Sequence, residues 1–176
     1  MGDTVSARWW RRNAAALVAV AVLLPTTAAV IGAGEWWGAN QGRPSIPTTI
    51  EARETGDFAG ATWGPVRIGT PSADALADAP EGTRVIVVEV PVDPHGTTVS
   101  CGIPLLRETG GAQRRWNDAL TDLDAGSRNP SQCPSDATAP FTIEVPYLVP
   151  SDAVGPFGLE LTLGDQLPRY LLLRLP

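Results

Sequence analysis

The hydrophobic and polar positions divide this chain into two regions of different character. Residues 13–34 run for 22 positions without a formal charge and are rich in Ala, Val, Leu and Ile, with only Asn13, Thr26 and Thr27 as polar interruptions. As a helix this stretch is about 33 Å long, enough to cross a hydrocarbon core of about 30 Å. Trp9 and Trp10 precede it and Trp36 and Trp37 follow it, the placement of an aromatic belt at two membrane interfaces. Arg8, Arg11 and Arg12 stand before the span. The positive-inside bias then keeps residues 1–12 in the cytoplasm and sends everything after the span outside. The competing reading is a cleaved signal peptide, with 14–24 as its apolar region, Pro25 as its break and Thr27-Ala28-Ala29 as its cleavage site. Apolar character resumes at 28–33, however, and the second Trp pair follows, for which a signal peptide has no use. The pattern predicts an uncleaved signal anchor, a transmembrane helix that tolerates Pro25 as a kink. Arg11-Arg12 lacks the continuation of a twin-arginine signal, and no Cys lies near enough for a lipid anchor.

Beyond the span the period changes from helix to strand. Residues 35–49 read as a tether, and 38–49 contain Gly38, Gly42, Pro44 and Pro47, which make it short and partly stiff. The remaining 50–176 are enough for one domain with one core. Residues 84–90 (Arg-Val-Ile-Val-Val-Glu-Val) predict a central strand covered on both faces. In 159–163 leucines alternate with Glu160 and Thr162, predicting leucines toward the core and polar side chains toward water. Residues 169–175 pair with that segment across a turn-rich 164–168 as a C-terminal hairpin. Residues 141–145 and 61–68 are further strands, and the many prolines are expected to bound strands rather than lie inside them. Only 71–79 has helical character, with Thr70 as cap, Pro71 at the first position and Leu76 as its one large apolar side chain.

One hairpin can be taken to its register. Around Thr109-Gly110-Gly111-Ala112-Gln113, a two-residue turn would put Arg107 opposite Arg114. A three-residue loop puts Glu108 opposite Arg114 and Leu106 opposite Trp116, and both pairs favour that register. Seven or so short strands with Pro- and Gly-rich turns predict an all-β fold, a β-sandwich. The order of four phrases, Ala61-Thr62-Trp63-Gly64, the strand at 83–92, the hairpin at 105–116 and Phe141-Thr142-Ile143-Glu144-Val145-Pro146, resembles that of a telokin-like, immunoglobulin-like extracytoplasmic domain carried by single-span bacterial membrane proteins. Val149-Pro150-Ser151-Asp152 follows just before the terminal hairpin. The resemblance covers roughly 50–176 and implies an immunoglobulin-like sandwich with no catalytic residue to carry over.

Charge and cysteine usage fit an external domain. Beyond residue 37 stand 17 acidic side chains and 10 arginines, a net charge of −7. Such a domain repels phosphate, so nucleic acid is excluded as a partner and an anionic lipid surface is avoided. Cys101 and Cys133 are the only two cysteines. Outside the cytoplasm they are expected to pair, since their 32-residue separation is unlike a redox loop and no third ligand completes a metal shell.

Candidate chemistry is sparse. His95 is the only histidine and follows Asp93-Pro94. With Asp93 it is a candidate metal or acid–base pair, but the phrase reads first as a strand-ending turn. Residues 122–127 (Asp-Leu-Asp-Ala-Gly-Ser) approach a calcium loop, yet Gly126 occupies its fifth position and Cys133 its twelfth. No serine nucleophile elbow or phosphate-binding glycine motif is present. Trp63 and Trp116 are expected mainly in the core, and the polar, acidic loop 117–132 as the exposed interaction surface. Without a catalytic, metal or cofactor signature, the sequence favours a non-catalytic interaction module. It would be held in the bilayer by its helix and would bind an envelope protein or serve as an accessory subunit of an envelope complex. The alternative is a cell-wall ligand- or glycan-binding domain, possibly enzymatic.

Overall fold

A computed structural model describes residues 3–123 and 129–176. The chain forms two compact units, 1–43 and 44–176.

The first unit is a single helix, α1 (Asp3–Gln41), of 39 residues. It is longer than the expected span at both ends, about 58 Å at 1.5 Å per residue. Pro25 lies inside it, and the helix continues through the carbonyl that this proline cannot satisfy. Next to it the Thr26 hydroxyl donates to the Val22 carbonyl at 2.7 Å. Val18, Leu24, Val30 and Ile31 along it are each more than half exposed.

The expected tether is largely absent. α1 runs to Gln41 and strand β1 (Ile46–Ile50) already belongs to the second unit, leaving only 42–45 between them. The Pro47 that suggested a stiff linker sits in this strand. β1 lies at a sheet edge, where a missing N–H costs least.

The second unit places two sheets on one core in a sandwich-like arrangement. The first sheet runs β1, β10 (Arg169–Arg174), β9 (Phe157–Leu161), β6 (Leu105–Glu108), β7 (Arg115–Trp116). It is mixed, because β1 pairs parallel with β10 while its other neighbours are antiparallel. The second contains β2 (Gly56–Phe58), β3 (Ala61–Trp63), β4 (Arg67–Gly69), β5 (Thr83–Asp93) and β8 (Phe141–Pro150). β5 is its centre, with β8 on one edge and β3 and β4 on the other. The expected single strand over 61–68 is thus two. Thr62 pairs with Asp93 and Arg67 with Glu89, so five steps on one side face four on the other. That is a bulge at 64–66. Pro91 of β5 lies against it, and its carbonyl accepts the Gly64 N–H at 2.9 Å.

The strand expected at 141–145 continues to Pro150, with Pro146 inside it. The free edge of β8 explains this. The carbonyl of Pro146 accepts from Ala119 N at 2.9 Å on that edge. N–H and C=O of one strand residue point to the same side, so the absent N–H also falls outside the β5 ladder.

Inner faces follow strand alternation. Val88, Val90 and Val92 of β5 meet Ile143, Val145 and Tyr147 of β8, and Leu159, Leu161, Leu171 and Leu173 close the core from the other sheet. Trp63 is fully buried there, and its indole N–H donates to the Phe58 carbonyl at 2.9 Å. Trp116 packs against the same core while partly exposed. The Tyr147 hydroxyl donates to the Pro104 carbonyl at 2.7 Å, and burial pushes its pKa well above the ordinary phenol value.

The second face of β5 is also covered, as its continuous apolar run predicts. Val85 and Leu148 pack under Ala75, Ala119 and Leu123. Ala75 belongs to helix α2 (Ala73–Asp78), which is shorter than expected. Its cap is Ser72, whose Oγ accepts from Ala75 N at 3.0 Å, and Pro71 lies before the cap. Leu76 points outward at 57% exposure; the helix instead turns its small Ala75 to the sheet.

The hairpin register is as the sequence predicts. Leu106 faces Trp116, and Glu108 N donates to the Arg114 carbonyl at 2.8 Å. The loop is longer, at 109–113, because Thr109 N turns away to the Pro156 carbonyl. The C-terminal hairpin pairs Leu161 with Leu171 as expected. Glu160, however, is only 3% exposed rather than facing water, for a reason given below.

Cys101 and Cys133 form a disulfide with Cα atoms 5.1 Å apart. Both are buried within the main core. Replacing both with serine is expected to lower the unfolding free energy by about 3–4 kcal/mol, the loop-closure value for a 32-residue separation. Urea unfolding with and without the replacement measures this, and an unchanged midpoint would refute it.

Candidate functional site

An apolar cleft lies where the second sheet loses an edge strand. β4 ends at Gly69, opposite Val87. Arg84, Val85 and Ile86 therefore have β8 on one side and no strand on the other. Across this notch stand Phe157 at the start of β9 and Leu175 just after β10, with Val154 from the loop between β8 and β9. These residues and Ile68 line a cleft of about 470 Å³ between the ends of the two sheets. Ile68 and Val154 are 54% and 86% exposed at its rim. Size and lining are those of a small-molecule site, which is mostly apolar with few polar groups.

Arg84 is the charged side chain of this cleft, whose lining also includes Pro176. Its guanidinium donates to the Ala153 carbonyl and stacks over the Phe157 ring, 5.5 Å from the centroid. Phe157 meets Trp116 edge-on at 6.0 Å, and Arg114 lies 5.5 Å from the Trp116 centroid. Arg114 in turn bonds Glu108 at 3.1 Å and both carboxylate oxygens of Asp152 at 3.2 Å. Two adjoining rings with a cation on each side thus tie the cleft to the β6–β7 hairpin. Glu108 is buried, yet the hydrogen-bonded Arg114 guanidinium outweighs desolvation and holds its carboxyl below the usual range.

The outer face of the first sheet carries the second charged group. Glu160 lies beneath Arg115, 3.1 Å away, and Arg107, 3.7 Å away. Arg107 Nη1 also donates to the Tyr170 hydroxyl at 3.2 Å and its Nη2 to Gln113 Oε1 at 3.3 Å, while its buried Nε has no hydrogen-bond partner. Glu160 Oε2 accepts no well-aligned hydrogen bond, so its burial is compensated by Coulombic attraction. Strand alternation alone does not reveal a carboxylate roofed by two arginines from a neighbouring hairpin.

His95 sits in a turn with φ 50°, and its N–H donates to Asp93 Oδ1 at 3.0 Å. Its Nε2 meets the Thr62 hydroxyl at 2.8 Å, and that hydroxyl also bonds Asp57 at 2.5 Å. A threonine whose proton goes to Asp57 offers His95 only an acceptor, so the trio makes no nucleophile–base pair. A groove of about 250 Å³ lies beside Thr62 and Asp93. Among the described residues no three His, Cys, Asp or Glu side chains are placed to hold a metal ion. In the calcium-like segment, 124–128 lie outside the described residues.

The expected interaction loop is partly a structural cover. Ala119 and Leu123 are buried on the outer face of the second sheet, and Glu144 N donates to the Pro130 carbonyl on its edge. The interface residues expected at the membrane, Trp9, Trp10, Arg11, Arg12, Trp36 and Trp37, are all exposed on α1, with paired ring centroids 5.5 and 6.4 Å apart. Sequence reasoning missed the cleft, because its lining spans 68 to 176. A local signal was Gly69-Thr70-Pro71, where the edge strand stops.

A lowered carboxyl value means that the Glu108–Arg114 bond stabilises the fold above the unfolded value of about 4.3 and is lost as pH falls through the folded one. Glu108→Gln is expected to melt below the parent at pH 7, with the difference closing below about pH 4. Thermal melts across pH measure it, and a pH-independent difference would refute the pairing. Comparisons of the chain with protein-family models, with curated proteins and with solved structures found no match.

Proposed function

We propose that this protein is a non-catalytic interaction module anchored by α1 in the cell membrane, with its sandwich on the extracytoplasmic side. There it binds an envelope protein or acts as an accessory subunit of an envelope complex. The observation that carries this reading is α1 itself. Its segment Trp9–Asn40 is long and apolar enough to cross a membrane, and none of its hydrophobic window is buried. A helix that is apolar all round is suited to lipid as its solvent. Arg8, Arg11 and Arg12 near its start, with no arginine from 13 to 41, favour a cytoplasmic N-terminus, and the buried disulfide fits an oxidising compartment. The bilayer is then one partner. The acidic balance disfavours nucleic acid as another.

An immunoglobulin-like character of the sandwich belongs to the same reading. The two sheets hold β10, β9, β6 and β7 on one side and the β3–β5–β8 ribbon on the other. The chain crosses between them after β1, β5, β7 and β8, a Greek-key habit such sandwiches share. Rigid sandwiches of this kind commonly bind through faces and loops, which is an analogy of fold class.

A second reading, a ligand-binding domain in the cell wall, is supported by the cleft beside Arg84. Its lining is aliphatic with one aromatic ring, which suits an apolar ligand better than a glycan.

Topology is tested in spheroplasts. The expected outcome is an intact N-terminus in the mature protein and protease cleavage confined to residues after 41. A mature N-terminus near Val30, or a protected sandwich, would overturn the anchor. Cross-linking in intact membranes followed by purification is expected to recover one specific envelope protein, and recovery of this chain alone would overturn the interaction role.

A further inference from the structure

We infer that the cleft between the sheet ends binds the hydrocarbon chain of a fatty acid, with the ligand carboxylate on Arg84. Ile68, Ile86, Val154, Phe157 and Leu175 form an aliphatic and aromatic lining around a volume of about 470 Å³. At about 30 Å³ per heavy atom, the share of a water molecule in the liquid, that space holds on the order of 15 heavy atoms, the content of one acyl chain rather than two. The rim is unusually apolar for a solvated surface, with Val154 at 86% exposure and Ile68 at 54%.

Charge complementarity decides the headgroup. Arg84 is exposed at this mouth, and no carboxylate of the described residues lies within ion-pair distance of it. The Ala153 carbonyl and the Phe157 ring fix its guanidinium but do not neutralise it. The contrast with Arg107, Arg114 and Arg115 is plain, since each of those already faces a carboxylate. An orienting cation next to an apolar trough matches an amphiphile with one anionic end. The acidic balance of the domain disfavours extended polyanions, whereas a single carboxylate needs only this one site.

The inference stands on the cleft and does not require the envelope-protein partner. It is tested with the full chain in phospholipid vesicles, using palmitic acid with a photoreactive diazirine at its chain end. Peptide mapping after irradiation is expected to find adducts on cleft residues as well as on α1. The α1 adducts report membrane insertion independently, so loss of the anchor and loss of the cleft site give different maps. Val154→Trp, a rim change that leaves the core in place, is expected to remove the cleft adducts and keep those on α1. Ile68→Trp, at the opposite rim, is expected to do the same. Arg84→Gln is expected to reduce the cleft adducts about tenfold, the loss of one charge-assisted contact. A hexadecylamine bearing the same diazirine is expected to label the cleft poorly in the parent protein. Unlabelled palmitate is expected to compete, and a two-chain phosphatidic acid is not. Adducts confined to α1 would overturn the site. So would cleft adducts that persist in the folded Val154→Trp and Ile68→Trp variants, equal labelling by the amine, or equal competition by the two-chain lipid.

Discussion

The sandwich depends on one long pairing, that of β5 with β8. Ten consecutive register pairs join Thr83–Pro150 through Val92–Phe141, and both faces of the ribbon are used. Toward the first sheet it supplies much of the valine, isoleucine and tyrosine core. On its back it holds the small cluster of Val85 and Leu148 under α2 and residues 119–123. Double coverage makes register strict, since a one-residue slip would exchange the two apolar sets. It also tolerates a local cost. Glu89 and Glu144 stand directly opposite each other, a like-charge pair that is unfavourable by itself. Arg67 lies opposite Glu89 on the other edge, and Asn129 donates to Glu144 at 2.7 Å.

The two edges of that ribbon have different fates. The outer edge of β8 is occupied by the Ala119 N–H, which donates to it, and the Pro130 carbonyl, which accepts from Glu144 N, and it carries Pro146 and Pro150. Covered and proline-broken edges resist pairing with other chains. The opposite edge is covered by β3 and β4 only as far as Gly69. The notch beyond it is the cleft, so the site is a consequence of an edge strand that stops early. Arg84 and Phe157 at this notch join Trp116 and Arg114 in a continuous stack, and Arg114 anchors it on Glu108 and Asp152. A cleft built on packed aromatic and charged groups is preorganised, which lowers the ordering cost of binding.

Much of this protein was legible along the chain because it rests on local pattern. The uncharged run at 13–34 with Trp pairs at its ends specifies an apolar helix, since period and length alone decide it. The valine-rich 84–90 specifies a strand buried on both faces, and the charges of Glu108 and Arg114 with the Leu106–Trp116 pair specify the hairpin register. Two lone cysteines were enough for the disulfide. Where the sequence misled, tertiary contacts supplied what local chemistry could not show. Pro47 and Pro146 look like strand boundaries until the sheet edges on which their missing N–H groups do no harm are known. Glu160 looks solvated until Arg107 and Arg115 close over it. Ser72 displaces Thr70 and Pro71 as the helix start through a single side-chain bond to Ala75. The cleft is the extreme case: its lining is gathered from residues more than a hundred positions apart, and its existence depends on which strand ends first. Sequence determined the elements and several of their pairings because those depend on neighbours within a few residues. The edges, the buried carboxylates and the cleft were decided only by tertiary structure, because each is a relation between elements that the chain brings together from a distance.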